Sequence, residues 1–140
     1  MLILFVFELL QMPLRKILTA VFYRKPNGLE PVRTWLKLLA KTDKKIIGRD
    51  INEVECNWPV GMPKVKYLEK RLWEVRSDIT GNRSVRTLFT INNKRMYLVH
   101  SFFKNSTKTP GRELEIANER KNEILKKGGH SMHESSSFFK

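Results

Sequence analysis

A change of hydrophobic period near Lys66 constrains this chain more than any other feature. Upstream, Val32, Trp35, Leu36 and Leu39 follow Glu30-Pro31 at helical spacing, and Ile46, Ile47, Ile51 and Val54 do the same within Asp43 to Cys56. Each set lays one apolar stripe along a helix. Asn57 to Pro63 (NWPVGMP) then breaks the second helix. Downstream the period is two. Leu72–Ser77 puts Trp73 and Val75 on one face and Glu74 and Arg76 on the other. Ser84–Ile91 sets Val85, Phe89 and Ile91 against Arg86 and Leu88, and Met96–Phe103 gathers Met96, Leu98, His100 and Phe102 on one side. Thr80-Gly81-Asn82 and Asn92-Asn93 supply hairpin turns.

Two further elements flank this meander. Ile17–Arg24 is a short β-rich run closed by Lys25-Pro26-Asn27-Gly28. A last helix is expected from about Pro110 to Lys126, with Thr109 as N-cap, Pro110 in the first turn and Gly128-Gly129 as its stop. Two helices followed by paired strands give the α+β class. The expected architecture is an antiparallel sheet of about four to five strands with two N-terminal helices and one C-terminal helix.

A chain of 140 residues, 41% hydrophobic with three Trp and eight Phe, supports one folded domain, placed at 17–127. Residues 1–16 read as an apolar extension and 128–140 as a frayed tail. MLILFVFELLQM is about half the length that spans a bilayer. Its positive charge follows the apolar run instead of preceding it, which is not the pattern of a secretory leader. Met12 is an alternative start, and stable membrane insertion is not expected. Cys56 stands alone, so a structural thiol in a reducing, cytoplasmic setting is the reading.

The formal charge is +13 and the pI near 10.1. Eleven Lys and Arg lie between Gly61 and Lys108, against Glu69, Glu74 and Asp78. Concentrated on strands, that excess predicts a basic sheet face and a polyanionic partner. The stretch VHSFFKNSTKTPGRE (Val99–Glu113) brings His100, Lys104, Lys108 and Arg112 to one strand end.

Four stretches together resemble the RelE/HigB-like toxin superfamily, in its phage-associated HigB-type branch. They are Glu30-Pro31-Val32 with Trp35-Leu36, Leu72–Arg76 (LWEVR), Gly81–Phe89 (GNRSVRTLF) and Leu98–Glu113. The resemblance spans roughly Thr19 to Leu125. It implies a RelE-like fold and the toxin of a type II toxin–antitoxin pair. Such a toxin is an endoribonuclease that cuts mRNA, in many members on the ribosome, and its partner is an antitoxin that often carries a helix-turn-helix domain. Asn105 stands where a second Lys is usual, and Val85 where an aromatic commonly precedes the strand Arg.

RNA cleavage through the ribose 2′-OH needs charge neutralised on the phosphoryl oxygens and protons moved at two oxygens. Guanidinium groups suit the first task, because their planar fork matches two phosphate oxygens. Arg76 and Arg86, alternating away from the apolar face of neighbouring strands, are the expected phosphate clamps. His100 suits proton transfer near neutrality, yet its strand face equally fits a hydrogen-bonded core residue. Lys64, Lys66, Arg83, Lys104, Lys108 and Arg112 are the expected RNA-backbone contacts. Trp73 and Phe102 fit core packing better than base stacking. No metal or cofactor is indicated: His130-x-x-His133 has no neighbouring Cys or Asp, and no phosphate-cradling glycine loop or Ser–His–Asp arrangement is present. The competing readings are a basic RNA- or ribosome-binding protein that does not cut, and an inactive prophage remnant that only binds its antitoxin.

Overall fold

The structure is a computed structural model that describes residues 16–105, 109–127 and 134–139. The apolar stretch before Lys16, Lys108 and the His130/His133 pair lie outside the described residues. Five strands form one sheet in the order β1-β5-β4-β3-β2: β1 (Thr19–Phe22), β2 (Val65–Glu69), β3 (Leu72–Ile79), β4 (Arg83–Asn92) and β5 (Arg95–Phe103). The helices are α1 (Pro31–Leu36), α2 (Lys41–Asn57), α3 (Gly111–Lys127) and a one-turn α4 (Ser136–Phe139). The class is the α+β expected. The sheet is antiparallel except at one edge, where β1 runs parallel to β5 with Thr19 opposite Arg95.

The hairpins follow from local chemistry. Asn93 and Lys94 both have positive φ (51° and 62°), as a two-residue turn matching the strand twist requires. Between β3 and β4 the positive φ values fall on Gly81 (72°) and Asn82 (56°). Glycine and asparagine tolerate that region best.

The two sheet faces are covered unequally. On one face α1, α2 and α4 close over Ala20, Phe22, Val75, Val85, Phe89, Met96 and Leu98. Trp73 belongs to this side, stacked on Phe89 at 5.7 Å and edge-on to Trp58 at 5.3 Å. On the other face α3 packs over Leu72, Leu88, Tyr97, Val99 and Phe102, with Val21 of β1 and Tyr23 just beyond it. The remainder of that face, toward the far ends of β3 and β4, is not roofed by α3.

Three local outcomes differ from the pattern of the sequence. A bulge in β5 sets both Val99 and His100 opposite Leu88, because Leu88 pairs with His100 and Phe89 with Leu98. An extra residue inverts the alternation beyond it. His100 and Phe102 therefore leave the Met96/Leu98 face and join the α3 side. Second, the N-terminus of α3 is capped differently: Pro110 C=O accepts the Glu113 and Leu114 N–H groups, and Thr109 makes no cap. Third, Glu134–Phe139, part of the expected frayed tail, is docked. Ser135 N–H donates to Ala20 C=O, Glu134 bridges Val21, and Phe138 meets Phe22 edge-on at 5.5 Å.

Candidate nucleic-acid interface

The open half of the sheet face is built by register. Arg76 on β3 lies directly opposite Arg86 on β4. Like charges so placed repel unless something neutralises them. The neutralising group is Glu74, two residues along β3 on the same face and 0% exposed. Its Oε1 lies 3.4 Å from Arg76 Nε and 3.5 Å from Arg86 Nε. Its Oε2 accepts a hydrogen bond from Thr109 Oγ1 at 2.9 Å. The sequence assigns Glu74 no site role. The only available signal was its shared face with Arg76.

Arg86 donates from Nη1 to Ser84 Oγ at 2.6 Å, and its buried Nε has no hydrogen-bond partner. Burial pushes its guanidinium down from the ordinary value, Glu74 opposing and Arg76 reinforcing the shift. Arg76, Arg86 and Asp78 line an open pocket of about 230 Å³ with Pro63 and Lys64. Lys104 stands beside it, its backbone N–H bonded to Ser84 C=O. Burial lowers the Lys104 ammonium; Glu74 works against the shift, while Arg86, Lys66 and Arg76 add to it. Lys66, opposite Glu74 on β2, completes the group. Four cations thus gather around one buried carboxylate, and exposed Asp78 adds an acid to the pocket lining.

Residues 34–122, from α1 into α3, match the family described as "Phage derived protein Gp49-like (DUF891)". The chain belongs to that family. The Gp49-like family is one of the RelE/HigB-like toxin families. None of the curated proteins matches this chain.

The other expected site residues of this Gp49-like protein fall in different places. His100 bonds to α3 and to neither arginine. Its Nε2 bonds Glu113 in a short hydrogen bond, and its Nδ1 faces Arg120 Nη1 at 3.5 Å. Arg120 can only donate, which matches a neutral ring that accepts at Nδ1 and donates from Nε2 to Glu113. Burial lowers the imidazole accordingly, against the pull of Glu113. Phe102 stacks on the His100 ring at 5.8 Å and is buried. Lys64 is held by Asp50 at 2.5 Å and by Glu53 at 3.4 Å, and these pairings raise it. Arg83 points to the other side of the sheet, bonding Asp43 at 2.8 Å and lying over Phe103 at 5.5 Å. Arg112 is exposed in the first turn of α3. The structure therefore brings together Arg76, Arg86, Lys66 and Lys104. It ties His100, Lys64 and Arg83 into structural pairs.

Proposed function

We propose that this Gp49-like protein is the toxin of a type II toxin–antitoxin pair and an endoribonuclease of the HigB type, acting on mRNA at the ribosome and restrained by an antitoxin. One observation carries the reading. Two guanidinium groups are held side by side at the floor of an open pocket, with an excess of positive charge that a phosphodiester would balance. Preorganised charge of this kind acts most strongly where negative charge develops in the transition state.

The reaction assigned to the pocket uses the substrate's own nucleophile and needs no metal ion. The 2′ oxygen attacks the adjacent phosphorus as its proton passes to a base. The P–O5′ bond breaks as the 5′ oxygen takes a proton, leaving a 2′,3′-cyclic phosphate and a 5′-hydroxyl. Arg76 and Arg86 would carry the phosphoryl oxygens through their outer nitrogens. Lys104, beside the pocket and lowered by burial and by its cationic neighbours, is the group that would exchange a proton there. A second reading, RNA binding without cleavage, draws support from His100, whose ring nitrogens are both engaged on α3.

Induced expression with mapping of mRNA 5′ ends separates the two. Growth arrest with new 5′-hydroxyl ends, both lost in Arg76→Ala and Arg86→Ala, supports cleavage. Arrest with whole transcripts supports binding alone. Unimpaired growth refutes both.

A further inference from the structure

We infer that Glu74 is the positioning residue of the pocket, one carboxylate that sets both phosphate-gripping arginines and, through Thr109, the point from which α3 begins. The inference rests on the nuclease reading above. Each oxygen of Glu74 has a separate task. Oε1 draws Arg76 and Arg86 by their Nε edges, at 3.4 and 3.5 Å. With Arg86 Nη1 given to Ser84 Oγ, that hold leaves Arg86 Nη2 and the outer nitrogens of Arg76 as the groups that can meet a phosphate. Oε2 is occupied by Thr109 Oγ1.

The Thr109 contact is informative because the hydroxyl had a local alternative. A threonine before a proline-led helix ordinarily caps that helix. Here Pro110 C=O receives the first helical N–H groups and the Thr109 hydroxyl crosses to β3, 35 residues away in sequence. Lys104 and Thr109 are each tied to the sheet. Lys104 N–H bonds Ser84 C=O on β4, and Thr109 bonds Glu74 on β3. A fully buried carboxylate is expensive to desolvate, so full occupancy of both oxygens by the pocket's own groups is what retains it. Glu74 touches no substrate in this arrangement. Its effect is on where the arginines and Lys104 stand when RNA arrives.

This role separates rate from affinity. Glu74→Gln keeps the side chain's size, removes the negative charge and frees the arginines to repel each other. Cleavage should fall roughly ten- to hundredfold, the scale of a misplacement near 1 Å. Affinity for a 2′-O-methyl RNA, which binds but cannot be cut, should hold or tighten, because the pocket becomes more positive. Thr109→Val, a change on a connecting loop that leaves the core intact, should lower cleavage in the same sense by a smaller factor, and Thr109→Ser should restore most of it.

The experiment measures cleavage of an mRNA in a ribosome-containing translation mixture and binding of the 2′-O-methyl RNA by fluorescence anisotropy. Arginine Nε–H exchange is followed by NMR in the same variants. Lost cleavage with retained binding, together with faster Nε–H exchange of Arg76 in Glu74→Gln, establishes the positioning role. Undiminished cleavage in Glu74→Gln and Thr109→Val overturns it, as does a parallel loss of cleavage and binding in Thr109→Val. If Glu74→Gln does not fold, the threonine pair decides. If the wild-type protein cuts no RNA, the nuclease reading fails by itself. The Nε–H exchange then decides whether Glu74 holds the arginines.

Discussion

Gly48, in the middle of α2, offers a test in which the sign of a stability change depends on six residues at the other end of the chain. A Cβ built there would lie 2.6 Å from Phe139 Cδ1 and Cγ and 2.9 Å from its Cβ. Ordinary carbon contacts are about 3.5–4.0 Å, so Phe139 would have to retreat by roughly 1 Å. The Phe139 Cβ is part of the contact, so a ring rotation alone does not relieve it and α4 itself must move. Phe138 and Phe139 are each half-buried, which gives roughly 1 kcal/mol apiece at half the value of a fully buried aromatic. Their docking is opposed by the entropy of ordering Glu134–Phe139. Against this loss, Gly→Ala inside a helix gains about 1 kcal/mol. In a chain ending at 133 the three tightest contacts of the new methyl group are gone, so Gly48→Ala should stabilise it by about 1 kcal/mol, or roughly 4 °C in Tm. In the full chain the gain should vanish or reverse, and amide exchange at 134–139 should rise sharply. Thermal unfolding by circular dichroism in the four chains closes the cycle. Equal stabilisation of the long and short chains would refute the placement of Phe139 on Gly48.

Three further outcomes follow from the groups around the sheet. His100 is lowered by burial, so the unfolded chain takes up its proton first and stability should drop as pH falls below about 6.5. His100→Gln should flatten that part of a Tm-against-pH curve, and an unchanged curve would remove His100 from the account. Asp43 is held below the ordinary carboxylate range by the Thr80 N–H and hydroxyl and by Arg83, so its contribution is complete at neutral pH and disappears as acid reaches the lowered value. Asp43→Asn should lower Tm at pH 7 and lessen its decline in acid. For RNA, Lys104→Gln and Lys66→Gln should each reduce the slope of log affinity against log salt by about 0.7, the single-strand value for one phosphate contact, while Lys64→Gln should change it less because Asp50 and Glu53 already hold that ammonium.

What the sequence made legible was local. Period-two runs located β3, β4 and β5, the Thr80-Gly81-Asn82 turn fell where it was expected, and Glu30-Pro31 opened α1. Partnerships over distance were not legible. Parallel pairing of β1 with β5 joins segments more than 70 residues apart, and no local pattern encodes it. The Val99 bulge is one unpaired residue, yet it reversed the face of His100 and so the company that residue keeps. Arg83 and Lys64 carry the same charge as Arg76 and Lys66. What separates them is whether α2 presents an acid to them, as Asp43 and Asp50 do. Glu74 was invisible as a hub for the same reason, since its partners arrive from β4 and from the approach to α3.

The bulge and the buried carboxylate together explain why one sheet face is part core and part cleft. At Val99 the bulge releases a carbonyl, which accepts from Arg120 Nη1 at 2.7 Å, and turns His100 onto Glu113. These contacts fix α3 over Leu72, Leu88 and Tyr97, and the Thr109–Glu74 bond fixes where α3 begins. On the Leu72 side of Glu74 the face is apolar and roofed. On the Arg76 side it is cationic and open. A slip of β3 by one residue would send Glu74 and Arg76 into the Phe89 core and bring Val75 and Ser77 to the cleft. The register that buries the apolar face is thus the same register that sets two arginines side by side, so the sheet cannot complete its core without also assembling the pocket.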